Sequence, residues 1–288
     1  MTKRNVLAVV LWMMGALLSF SATAIGVRAL SPALRVFEML SLRNAAGVAI
    51  LLAIALPQPA LRAALWPRRF PLHLLRNTVH FGASYAWALG ITLLPLATVF
   101  ALEFTTPIWV AILAAFFLRE RMTRTRLASV ALGFAGVLVV LRPGAGTLQL
   151  GAFVVLACAI GFAVSIIATK KLTATETTFS ILLWMNLIQL PLNLLGSSPN
   201  FWTKLGPEHL LPLIGVCVGG LSSHYCLTNA YRHGDATMVI PLDFLRIPLI
   251  ALVGWQFYGE ALDPFVFAGS AIIISGILWN LRAEARGR

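Results

Sequence analysis

Acidic side chains are scarce in this chain: ten Asp and Glu stand against 22 Lys and Arg over 288 residues, and all charged residues together make up 11%. With 59% hydrophobic residues and a mean hydropathy of +0.87, there is too little polar surface to coat a soluble globule. Cysteine is equally sparse. Cys158, Cys217 and Cys226 are odd in number, lie inside apolar runs and lack metal-ligand spacing, which argues against a disulfide framework and a zinc site. No G-x-x-x-x-G-K-[ST] loop occurs, so hydrolysis of ATP by this chain is not expected, and no cofactor is implied. The net charge of +12 does not point to nucleic acid, because Arg and Lys gather in the gaps between apolar runs and not along one helix face.

What remains is a protein built for lipid. Runs long enough to cross a hydrocarbon core of about 30 Å fall near residues 6–27, 34–56, 72–94, 96–118, 125–141, 149–169, 177–197, 209–231, 237–257 and 265–281. They predict an all-α integral membrane protein of ten transmembrane helices, with connections too short for a soluble domain. Placing the N-terminus inside puts sixteen Lys and Arg in cytoplasmic gaps, Arg62, Arg68, Arg69 and Arg76 among them, against four outside. That bias sets both termini in the cytoplasm of a bacterial-type inner membrane, with the excess charge facing anionic lipid. Lys3-Arg4, the first apolar run and Ala22-Thr23-Ala24 loosely imitate a signal peptide. Removing that run would leave four helices in the first half against five in the second.

The chain also repeats itself. Slid by 140 positions, Tyr85–Arg142 matches Tyr225–Arg282 at Tyr85/Tyr225, Val99/Val239, Leu102/Leu242, Phe104/Phe244, Phe117/Phe257, Glu120/Glu260, Gly136/Gly276 and Arg142/Arg282. Where the first copy carries Arg119, Arg121, Arg124 and Arg126, the second has Gly259, Ala261, Pro264 and Val266. Equivalent loops of such different charge are expected on opposite membrane faces. The repeats, residues 1–144 and 145–288, are therefore read as inverted, an architecture of transporters.

A charged side chain at mid-bilayer costs about 2.5–3.5 kcal/mol on insertion scales, so each one requires a partner or a wet cavity. Glu38, Arg43, Glu103, Asp243 and Arg246 fall inside predicted helices, as do His80 and His224. Asp243 and Arg246 share a helix face and suit a structural ion pair, whereas Arg43 has no opposite charge at helical spacing and must find one on another helix or on a ligand. Arg43 and Arg246 each lie about 13 Å from opposite surfaces at 1.5 Å per residue, and both are candidates for holding an anionic part of a solute. His80, Ser84 and Tyr85 cluster on one helix, and the repeat sets His224 and Tyr225 in the equivalent place. Glu103, His80 and His224 are candidates for proton coupling, against the plainer role of helix contacts. Asn186, Gln189 and Asn193 line one face, as cavity wall or interhelical glue. Trp109 and other aromatics could stack on a ring-bearing solute or simply pack. Pro107 and Pro248 break both halves at nearly matching places, as hinge or passive kink. Gly133, Gly136, Gly269 and Gly276 let helices approach, within one chain or between two.

The segments Leu94-Pro95-Leu96-Ala97, Pro107-Ile108-Trp109, Arg119-Glu120-Arg121, Gly133-Phe134-Ala135-Gly136-Val137 and Arg142-Pro143-Gly144 resemble the EamA family of the drug/metabolite transporter superfamily. So does Pro241-Leu242-Asp243-Phe244-Leu245-Arg246, continuing through Gly254 to Gly259-Glu260. The resemblance implies a ten-helix bundle of two inverted repeats, a central cavity lined by helices 1, 3, 4, 6, 8 and 9, and peripheral helices 5 and 10 open to homodimer contacts. It implies alternating-access transport of a small amphipathic metabolite, such as an amino acid or a vitamin-like compound, and no enzymatic activity. The substrate-binding candidates are Arg43, His80, Ser84, Tyr85, Glu103, Trp109, Asn186, His224, Tyr225, Asp243 and Arg246. An integral-membrane enzyme would need a nucleophile with a positioned base, and His73, His209 and His233 have no such neighbour in sequence. A channel would need charge rings or a filter-like Gly run.

Overall fold

The computed structural model describes residues 6–117, 124–142, 150–172, 175–233, 246–261 and 263–286. Its long elements are helices: α1 Val6–Leu30, α2 Val36–Ala55, the short α3 Pro59–Ala63, α4 Phe70–Leu93, α5 Leu96–Glu103, α6 Thr106–Phe117 and α7 Arg124–Leu141 in the first half. The second half holds α8 Leu150–Leu172, α9 Thr178–Leu195, α10 Leu210–His233, α11 Arg246–Tyr258 and α12 Pro264–Arg286. Two 3-10 turns, Phe201–Lys204 and Pro207–His209, join α9 to α10. The order recurs: α2 and α9 start 142 residues apart, and α7 and α12 start 140 apart.

Helix ends follow local chemistry. Thr177 caps α9 by accepting the Ser180 amide at 3.1 Å, and Glu38 reaches back from the first turn of α2 to the Arg35 amide at 2.8 Å. The sequence predicts one helix over residues 96–118, but the chain breaks at Phe104-Thr105 into α5 and α6. Pro107 has no N–H to offer the Glu103 carbonyl four residues back. The Thr106 hydroxyl donates to that carbonyl at 2.6 Å instead, and Thr105 donates to the Leu102 carbonyl at 2.8 Å. Two hydroxyls thus stabilise a break that one proline begins. Pro248, its counterpart, lies inside α11, while residues 237–245 of the matching run fall outside the described residues.

Packing follows the duplication. The most extensive contacts are α1 with α10, α7 with α12, α4 with α8 and α2 with α9. Each pair runs antiparallel. Gly15 lies against Cys226 while Gly26 meets Pro212 and Val216, and Gly90 lies against Val155 while Arg76 reaches Thr169. Likewise Gly47 meets Asn186 while Ser41 bonds Ser197, and Gly136 meets Ile273 while Arg142 pairs with Asp263. Exchanging the halves turns the first pair into the third and leaves the other two unchanged. Because the equivalent helices α2 and α9, and α7 and α12, point in opposite directions, the halves are related by rotation about an axis that crosses the helices.

The burial pattern is inverted relative to a soluble protein. Arg43, Asn44, Asn77, His80, Gln189 and Asn193 are buried, whereas Leu11, Leu18, Leu195 and Leu211 stand exposed around the outside. Five helical segments, Leu7–Leu30, Val36–Ala55, Leu150–Thr169, Thr178–Leu195 and Pro207–Ala230, are long and apolar enough to cross a membrane. With 24 residues α4 matches them in length, but His73, Arg76, Asn77, His80 and Ser84 make it too polar for that test. One expectation fails here: Arg76, counted above with the cytoplasmic gaps, is buried within α4. Its side chain is held from α8, so the charge bias rests on fifteen residues against four.

At the α7–α12 crossing, a Cβ on Gly136 would lie 2.5 Å from Ile273 and 2.6 Å from the Gly269 carbonyl oxygen, while a Cβ on Gly82 would meet nothing within 4 Å. Gly136→Ala is expected to destabilise by about 1–3 kcal/mol through overpacking, despite a helix-propensity gain of about 1 kcal/mol. Gly82→Ala receives only the gain. Thermal unfolding of the two purified variants in detergent checks the contrast, and equal midpoints would refute the close crossing.

Candidate functional site

Where the two halves meet, polar and aromatic side chains form one connected chain across seven helices. It starts on α2, where Arg43 Nη2 donates to Gln189 Oε1 of α9 at 3.4 Å. Gln189 Nε2 lies 2.9 Å from His80 Nδ1 on α4, and Ser84 Oγ lies 3.0 Å from the same nitrogen. The His80 ring packs edge-on to His224 of α10 at 5.1 Å, and His224 packs on Phe20 of α1 at 6.0 Å. Phe20 in turn supports the Arg246 guanidinium of α11, 4.1 Å from its ring centre, with Phe104 at 5.5 Å and Phe100 at 5.8 Å. Arg246 Nη1 donates to Glu103 Oε1 at 3.3 Å, and Trp87 Nε1 donates to Glu103 Oε2 at 2.8 Å. Trp87 returns the chain to α4.

The α4 face explains why so many groups converge. Arg76, His80, Ser84 and Trp87 recur at intervals of four, four and three residues, so one buried stripe runs about 16 Å along the helix at 1.5 Å per residue. Helices α5, α8, α9 and α10 each send a side chain to it, and α1 and α11 join through His224 and Glu103. From α8 come Phe162, 5.5 Å from the His80 ring, and Thr169, whose hydroxyl accepts from Arg76 Nε at 3.1 Å. The six segments that the resemblance assigns to the cavity are all represented, and α2 and α9 reach in beside them.

The other candidates occupy different places. Asn186 is buried against Gly47 and donates to the Leu182 carbonyl of its own helix at 2.9 Å. Trp109 donates to Thr105 Oγ1 at 3.3 Å and packs edge-on to Phe134 beside α7. The two tyrosines are not brought together: Tyr85 packs on Phe37 at 4.4 Å, and Tyr225 lies against Trp12 with 45% of its surface exposed. Asp243 lies outside the described residues. Sequence reasoning missed Arg76 as a member of this constellation, and it left Phe20 and Trp87 among the aromatics that could stack on a solute or simply pack. The i, i+4, i+8 spacing of Arg76, His80 and Ser84 was the available signal. It also found no carboxylate near His73, yet Glu176 lies 3.6 Å away, with its Oε1 accepting the Arg68 and Arg69 amides at 2.7 and 3.1 Å.

The EamA-like transporter family matches the chain twice, over residues 7–142 and 149–282. The chain belongs to the EamA-like transporter family. Its two copies coincide with the two halves that pack antiparallel. A riboflavin transporter of Rhizobium johnstonii is 31% identical over 74% of this chain and 71% of its own length. An S-adenosylmethionine uptake transporter of Rickettsia felis is 27% identical over 75% and 73%, and a pseudopaline exporter of Pseudomonas aeruginosa 27% identical over 89% of each chain. A solved crystal structure shares the fold, with a TM-score of 0.67 at 19% identity over 96% of this chain and 98% of that one. With a transporter family matched over both halves, this EamA-like chain is a multi-pass membrane protein.

Trp87 places its N–H on the half-buried Glu103 carboxylate, and hydrogen bonds to charged groups contribute about 1.5–3 kcal/mol. Trp87→Phe is expected to lower stability by that amount, measured by thermal unfolding of the detergent-solubilised protein, while a Trp66→Phe control, exposed at the surface, leaves it unchanged. No difference between the two would separate Trp87 from Glu103.

Proposed function

We propose that this protein is a secondary transporter that moves a small amphipathic organic metabolite, amino-acid-like or vitamin-like, across a bacterial inner membrane by alternating access. The observation that carries the reading is the connected polar chain from Arg43 to Trp87, buried at the meeting of two antiparallel halves. Burying so much polarity opposes stability unless it serves a pathway. Ten spans, arranged as inverted repeats 1–144 and 145–288 with both termini cytoplasmic, accord with the family match and with the antiparallel pairing of equivalent helices. The apolar side chains exposed around the bundle face lipid tails, and the outer faces of α7 and α12 suit a second copy of the chain.

Rocking of one half against the other would exchange contacts along the α1–α10 and α4–α8 pairs. The Glu103–Arg246 pair bridges α5 in the first half and α11 in the second, so a proton on Glu103 would weaken a contact between the halves and couple their motion to a proton gradient. Residue roles follow from position. Arg43, Gln189, His80 and His224 line the centre, Glu103 and Arg246 close one side of it, and Ser84 orients His80.

Proteoliposomes screened with labelled amino acids, riboflavin and S-adenosylmethionine, with and without a pH gradient, test the reading. Wild-type protein is expected to carry at least one such solute faster with the gradient, and Glu103→Gln to lose that stimulation while still catalysing exchange. Flux through wild type that never saturates, or stimulation intact in Glu103→Gln, would reject alternating access or the coupling role respectively.

A further inference from the structure

Arg43 and Arg76 are both buried, and among the described residues neither faces a carboxylate. Arg43 donates its one hydrogen bond to Gln189, at 3.4 Å. Arg76 donates to two neutral oxygens, Asn77 Oδ1 at 2.6 Å and Thr169 Oγ1 at 3.1 Å. Five of the described carboxylates are engaged elsewhere. Glu103 holds Arg246, Glu38 holds Lys204 at 2.8 Å, Glu176 takes the Arg68 and Arg69 amides, Glu260 pairs with Arg28 at 3.2 Å, and Asp263 pairs with Arg142. Among the described residues, two guanidinium charges thus stand in the interior with neutral hydrogen-bond partners, an arrangement that burial penalises by several kcal/mol per ion.

The two cations converge on one place. Arg76 lies one turn of α4 before His80, and Arg43 reaches the same imidazole through Gln189. Both charges act on His80 and on its ring partner His224. Asn77 Nδ2, fully buried and without an acceptor among the described residues, adds another donor beside Arg76. Most of the five N–H groups that each guanidinium carries therefore remain for a ligand. Planar forks of this kind match the oxygens of carboxylates and phosphates in pairs. Arg246, whose guanidinium already serves Glu103, is not part of this set.

We propose that Arg43 and Arg76, with Asn77 and Gln189, form an oxyanion site beside the His80–His224 pair, and that the transported metabolite carries a carboxylate or phosphate group that occupies it. This rests on the reading of the protein as a solute transporter and narrows its substrate to organic anions or zwitterions with an accessible acidic group. A purely cationic solute would meet two like charges in a site of low polarity and be rejected. Arg76 thereby becomes a specificity residue, fixed in direction by Thr169 of the second half, so that the site is complete only when α4 and α8 are packed together.

The test uses the purified full-length protein, with succinate, glycerol 3-phosphate, choline and glycerol as probes at millimolar concentration. Succinate or glycerol 3-phosphate is expected to raise the thermal midpoint by about 2–4 °C, and choline and glycerol to leave it in place. The two anions separate a carboxylate site from a phosphate site. Arg76→Gln and Arg43→Gln should each weaken the anion effect about tenfold, with Arg76→Lys retaining part of it. An anion-induced rise that is equal in wild type and both Gln variants, or a rise with choline alone, would overturn the site. Should the Gln variants fail to fold, wild type still decides, because no rise with either anion sinks the proposal. Reconstituted flux separates the two levels. Flux of a neutral or cationic solute that is unaffected by Arg76→Lys would leave a transporter without this site, whereas anion binding without flux of any solute would leave the site without the transporter.

Discussion

A charge inside a bilayer must be answered by another polar group, and in this protein the answer nearly always comes from a different helix. Arg246 of α11 meets Glu103 of α5, Arg43 of α2 meets Gln189 of α9, and Arg76 of α4 meets Thr169 of α8. Each of these contacts crosses from one repeat to the other. The two halves therefore cannot separate, slip by a turn or exchange direction without exposing ions to hydrocarbon, at a cost of several kcal/mol each. Close glycine crossings between α1 and α10 and between α7 and α12 add shape to this constraint. Electrostatics selects the pairing, and small residues let it close.

Two of these contacts are also loose. The Arg43–Gln189 and Arg246–Glu103 distances, 3.4 and 3.3 Å, are long for hydrogen bonds. The neutral bonds contribute about 0.5–1.5 kcal/mol each, which a bound solute can replace.

Much of this was legible in the sequence for physical reasons. The 140-residue repeat announced two equivalent halves, and the scarcity of acids made each intramembrane charge conspicuous. Arg43 was read as needing an opposite charge on another helix or on a ligand, and among the described residues it meets only the neutral Gln189 of α9, while the Asn186, Gln189, Asn193 stripe was buried on one face as its spacing demanded. What escaped notice came from treating helix ends as where hydropathy falls. Arg76 was counted with the cytoplasmic gap by its charge although the run 72–94 already contained it, and α4, from Phe70, carries that charge inward. Repeat alignment paired Tyr85 with Tyr225, but equivalence under duplication fixes the helix position and not its surroundings, and Tyr225 ends up exposed beside Trp12. Nor could spacing alone place the break after α5, which depends on Thr105 and Thr106 supplying hydroxyls where Pro107 withholds an amide.

The opposed orientation of the repeats is the claim on which the cavity, the cross-half pairs and the transport reading all stand. Arg124 and Pro264 occupy equivalent, exposed positions at the starts of α7 and α12. Single cysteines at those two sites, in a background lacking Cys158, Cys217 and Cys226, can be probed with a membrane-impermeant maleimide on sealed right-side-out and inside-out vesicles. Labelling of 124 only from the cytoplasmic face and of 264 only from the outer face is the expected result. Labelling of both from one face would contradict it.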